Sequence, residues 1–187
     1  GIEAALNAVK DLILPHRDEL SKAIFLAQMS ARFQSPQATC LLNQAFEAAV
    51  PMLGDRIYPG DIRTLIRLLL DAKRDQDALT VSERYRSISP AIGKVCLDLM
   101  LRQEGMESDS NKLLDELSVH LPDDPFLLYC RGFLREKEHP GTGYDYFQKS
   151  FDKSPDLNNA TALLAARLNR LNAKKDQVLE FCERQDD

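Results

Sequence analysis

The chain has 187 residues, of which 44% are apolar and 28% charged, with a formal net charge of −5. This balance supports a core and excludes a disordered chain. No apolar run is long enough to span a bilayer, and the acidic total disfavours broad phosphate binding.

The start, GIEAALNAVKDLILPHRDEL, lacks the basic n-region of a signal peptide. Gly1-Ile2 reads as the cut edge of a longer chain, with an amphipathic helix over 2–14 already under way and stopped at Pro15. A second helix is expected over 18–34. Ser35-Pro36, an N-cap followed by proline at the first helical position, opens a third over 37–53, whose last turn Pro51 should kink or fray. A loop over 54–60 follows.

Residues 59–90 then read as a helix, a tight turn and a second helix. Ile62, Leu65, Ile66 and Leu69 form an amphipathic stripe. Asp61 is placed to cap that helix, with Gly60 before it. Lys73-Arg74-Asp75 reads as the turn. Ala78, Leu79, Ser82, Tyr85 and Ile88 form the second stripe, which Ser89-Pro90 ends. Further helices are expected over 91–104 (ended by Gly105), 109–121, 126–138 (opened by Asp124-Pro125), 142–153, 156–171 (opened by Ser154-Pro155) and 174–184. No strand pattern is present, so the fold class is all-α, with about eleven helices.

The helix pair recurs. Stepping 34 residues from Ile62 gives Cys96, Cys130 and Leu164; from Ile66, Met100, Leu134 and Leu168; from Leu79, Leu113, Phe147 and Phe181. A step of 33 backwards gives Met29, Phe33 and Phe46. All of these positions are apolar. A helix pair this short cannot cover its own apolar face and must stack on neighbours.

With this period and helix–turn–helix layout, the chain resembles the tetratricopeptide family over roughly residues 18–184. Ile62, Leu65, Ile66 and Leu69 take the place of a repeat's first-helix apolar positions, Ala78 that of its small second-helix residue, and Pro90 that of its closing proline. FQKSFDKSP (147–155) is similar to another second helix. The family's usual glycine and aromatic are replaced by Ile66 and Leu69, and its small residue by Lys112 and Tyr146 in later copies. Those helix pairs must pack differently or shift register. The resemblance implies one domain over 1–187, a right-handed superhelical array of about five antiparallel helix pairs plus helix 2–14. A generic α-solenoid is the alternative.

The resemblance also implies a concave surface lined by first helices. The residues it places there are Arg63, Arg67, Lys94, Leu97, Leu101, Arg131 and Arg135. Two arginine pairs at i, i+4 would flank a leucine pair, a surface suited to an acidic peptide with an apolar anchor. The alternative is that the arginines pair internally, with Asp71, Asp98, Glu104 or Glu138. The carboxylate clamp with which some members grip chaperone tails would need Lys or Asn side chains where Ser30, Gln34 and Thr64 stand. Asp98 would repel a carboxylate, and Lys94 alone matches.

Catalytic chemistry is not expected. His16, His120 and His139 are scattered, and no metal spacing, nucleophile elbow or phosphate loop occurs, so no cofactor and no metal is expected. Cys40, Cys96, Cys130 and Cys182 form no CxxC pair and read as small buried core residues, which points to a cytoplasmic or nuclear compartment. The expected function is a non-catalytic scaffold for a protein or peptide. Docking or self-association through the end helices is the first alternative. An RNA-binding repeat with the similar period of pentatricopeptides is the second, disfavoured by the acidic total.

Overall fold

A computed structural model describes residues 18–51 and 57–183, with the single residue Ala4, and side chains as far as Lys175. The expected helix 2–14 and most of the expected loop lie outside the described residues, as do the side chains of Phe181 and Cys182. No strand occurs among the described residues, and the fold is all-α. No described helix is long and apolar enough to cross a membrane. The chain divides into two compact units, residues 1–99 and 100–187.

The first unit holds α1 (Glu19–Arg32), α2 (Ala38–Ala49), α3 (Pro59–Asp71), α4 (Asp75–Tyr85) and a 3-10 turn over Arg86–Ile88. The next helix, α5 (Pro90–Leu101), runs across the division between the units. Asp18 caps α1, its carboxylate accepting from the Ser21 amide at 2.8 Å. The expected Asp61 cap is corrected. α3 begins two residues earlier, at Pro59, whose missing N–H is one of the donors a first turn leaves unpaired anyway. Asp61 instead accepts from the Ser21 hydroxyl at 2.5 Å, which ties α3 to α1. α2 ends at Ala49, before Pro51, so that proline neither kinks nor frays it. Pro36 sits in a turn ahead of α2 rather than in its first turn.

α1 packs on α2 and α3, and α3 on α4. Ile24, Ala27, Ala45, Ile62, Leu65, Leu69, Ala78 and Leu79 are buried and make up most of this core. Tyr85 donates its hydroxyl proton to the Ala49 carbonyl at 2.6 Å, joining α4 to the end of α2. Arg74 pairs with Asp77, donates to Asn43 Oδ1 at 2.5 Å and lies over the Phe46 ring. These bonds hold the expected 73–75 turn against α2.

The second unit holds α6 (Glu107–His120), α7 (Pro125–Glu138), α8 (Tyr144–Lys153) and α9 (Leu157–Glu183). Asp124 caps α7 as expected, accepting from the amides of Phe126 and Leu127, with Pro125 at the first helical position. Lys137 joins α7 to α6 through Glu107, and that hydrogen bond holds the Glu107 carboxyl below the usual carboxylate range. α7 and α8 meet at small residues. A Cβ on Gly143 would lie 2.3 Å from the Gly132 carbonyl oxygen, and one on Gly132 would lie 2.9 Å from the Phe147 ring. Glu136 accepts from the amides of Gly141 and Gly143 and from the Asn169 side chain, so one carboxylate holds the 139–143 turn and α9 together.

The expected break between helices 156–171 and 174–184 is corrected, because α9 is continuous over 27 residues. Leu171-Asn172-Ala173-Lys174 contains neither Gly nor Pro, and asparagine alone lowers helix stability by only about half a kcal/mol.

The repeat columns hold for three copies. Ile62, Cys96 and Cys130 are buried, as are Ile66, Met100 and Leu134, and Leu79, Leu113 and Phe147. The fourth copy breaks the rule, since Leu164 and Leu168 are each 61% exposed. Phe33, on the backward step, is 48% exposed. Cys40 also departs from expectation: it lies on the surface, whereas Cys96 and Cys130 are buried.

Candidate functional site

In the first unit, burying the stripe Ile62, Leu65, Ile66 and Leu69 turns the opposite side of α3 outward. Arg63 and Arg67 are exposed there, one helical turn apart. Among the described residues, neither guanidinium has an ion pair or hydrogen bond. Asp71, an anticipated partner, makes no salt bridge with Arg67.

Both arginines border a cleft of about 330 Å³ whose apolar lining includes Ile66, Leu70 and Val95. Arg67 also borders a larger cleft of about 680 Å³ between α1, α2 and α3. Ala27, Ala31, Leu42 and Leu68 give that cleft an apolar floor, and Arg32 and Asp71 stand at its edge. Arg67 therefore lies between two apolar recesses. Arg32 was not among the expected site residues. It projects from the last turn of α1, and its place beside Arg67 depends on how α1 packs against α3.

The arginines of the second unit have other work. Arg131, half-buried, pairs with Asp115 at 2.8 Å and donates to the Ser118 hydroxyl at 3.2 Å, both on α6. Arg135 pairs with Glu138, one turn along the same helix, at 3.4 Å. The Glu138 pairing is one of the anticipated internal ones. The Asp115 pairing is not, because it joins residues from two helices.

The apolar members of the expected site differ from each other. Leu97 is fully buried, so its side chain belongs to the core. Leu101 is half-buried and borders a crevice with Ser110, Phe133 and Leu134 that has no room for a ligand. Lys94 is half-buried and engaged within the chain. A further cleft of the second unit, about 610 Å³, lies between α7 and α9 and is lined by Tyr129, Phe133, Phe147, Ala162 and Ala165. No residue of the expected site lines it.

Chemically, the face of α3 offers two uncommitted guanidinium groups beside apolar recesses. Guanidinium forks hold carboxylates in bidentate pairs, and the recesses offer a place for an aliphatic side chain. Comparison with known proteins finds no matching family model and no matching curated protein.

Proposed function

We propose that the chain is a non-catalytic scaffold of the tetratricopeptide type. Its helix pairs stack into a right-handed superhelix and hold an acidic peptide segment of a partner in the cytoplasm or nucleus. The observation that carries this reading is the outer face of α3. Arg63 and Arg67 are exposed, uncommitted and flanked by two apolar clefts. An arginine kept in a folded chain without an internal partner is available for a ligand's carboxylate.

The helix pairs support the architectural half of the reading. α1 with α2, α3 with α4 and α7 with α8 each form a hairpin joined by a short connection. The crossing of α7 and α8 at Gly132 and Gly143 is a close approach of the kind small residues permit in stacked helical hairpins. In the peptide-binding half, Leu70 and Val95 take the place of the leucine anchor, because Leu97 lies in the core.

The test is titration of the full chain with fluorescent peptides that carry Asp and Glu around one leucine. Each exposed arginine contact is expected to contribute roughly 0.5–1 kcal/mol, and more if bidentate and dry. Arg63→Glu with Arg67→Glu should therefore weaken binding by at least about tenfold, since attraction is replaced by repulsion. Equal binding by wild type and the reversed variant, with unchanged circular dichroism, would remove the reading.

A further inference from the structure

Helix α9 has two faces with different fates. Asn159 and Ala166 are buried, and through this side α9 packs on α8 and α7. On the opposite side Leu157, Leu164, Leu168 and Leu171 lie in one stripe, at 82%, 61%, 61% and 57% exposure. Scattered exposed leucines need no explanation, but four aligned along one helix face do.

The repeat columns say what is missing from this face. Leu164 and Leu168 occupy the columns of Ile62, Cys96 and Cys130 and of Ile66, Met100 and Leu134, all of which are buried. Among the helices that carry these columns, α3 and α7 each have a second helix of the same unit packed on them, α4 on α3 and α8 on α7. At the fourth copy the chain runs on as a single helix, and among the described residues no second helix lies on the stripe.

Charge narrows the occupant. Residues 157–175 contain Arg167, Arg170, Lys174 and Lys175 and no Asp or Glu, in a chain whose net charge is −5. Arg170 is committed to Asp145 and to the face of the Tyr144 ring. Arg167 and Lys174, seven residues apart and both exposed, follow one edge of the leucine stripe. Two copies of α9 packed antiparallel, stripe to stripe, would bring these like-charged edges together. The repeat columns favour a helix over a membrane surface as the occupant, because α3 and α7, which carry the same columns, each have a second helix packed on them.

We propose that the leucine stripe of α9 docks an amphipathic α-helix of a partner protein, one with acidic flanks, in the place of the missing second helix. This site lies in the second unit and does not depend on the α3 groove.

The experiment uses the full chain and a display library of helical peptides of about eighteen residues. Each peptide carries a leucine stripe, with flanks ranging from all-Glu to all-Lys. Glu-flanked peptides should be enriched, and Leu164→Asp with Leu168→Asp should weaken the best of them by at least about tenfold. Both leucines are exposed, so helical circular dichroism should be unchanged. Arg167→Glu with Lys174→Glu should shift the preference toward Lys-flanked peptides, and Arg63→Glu with Arg67→Glu should leave it alone. No enrichment, or enrichment indifferent to the leucine substitutions, would overturn the proposal. It would equally fall if the leucine substitutions abolished a dimer seen by sedimentation, or pelleting with phosphatidylserine vesicles, while no peptide bound.

Discussion

Cys40 and Cys96 carry the same thiol in opposite surroundings. Cys40 is exposed on α2. Cys96 is buried, and burial pushes its thiol up to about 11, against the opposing pull of a hydrogen bond with Ser82. The thiolate is the reactive species, and at pH 8 only about a thousandth of Cys96 would carry it. A maleimide or disulfide reagent should thus label Cys40 within minutes and Cys96 only slowly. The Cys96 rate should climb as pH rises toward 11 or when denaturant opens the unit. Equal labelling of both at pH 8 would contradict the burial. Glycine gives a second test at this scale. Gly143→Ala places a methyl group against the Gly132 carbonyl, which cannot give way as a side-chain tip can. The expected loss is about 1–3 kcal/mol by urea unfolding. Gly60→Ala, with nothing within 4 Å, should be neutral or stabilising by up to about 1 kcal/mol.

Helices that share a sequence pattern here do not share an environment. Leu134 on α7 and Leu168 on α9 fall in the same repeat column, yet the first is 3% exposed and the second 61%. Leu134→Ala should cost about 2–4 kcal/mol through lost burial and a residual cavity. Leu168→Ala should stay within about 0.5 kcal/mol, as surface substitutions do. Similar losses at the two sites would mean that α9 is covered on its leucine side. The continuity of α9 has its own local cause, the absence of any residue between Leu157 and Glu183 that stops a helix.

Over the whole molecule the net charge of −5 opposes the local attraction of Arg63 and Arg67 for an acidic ligand. Long-range repulsion slows encounter and is screened beyond about 10 Å at 0.1 M salt. The short-range arginine contacts control dissociation. Raising salt from low to physiological should increase both the association and the dissociation rate of an acidic peptide, measurable by stopped flow. A falling association rate would point to steering by a basic surface larger than this pair. The helices, their period and several of their ends were legible in the sequence because those signals are local. A stripe needs only the helical period, and the Asp124 cap reaches amides two and three residues away. Asp61 failed the same local rule because its partner, Ser21, is forty residues distant in the chain. Arg63, Arg67, Arg131 and Arg135 are alike as i, i+4 pairs. Packing alone brings Asp115 and Ser118 to Arg131 and leaves the α3 pair uncommitted. The same holds for the leucines of α9, whose apolar pattern is plain in the sequence. Whether a stripe is core or surface depends on whether another helix lies on it, and that is decided only when the chain has packed.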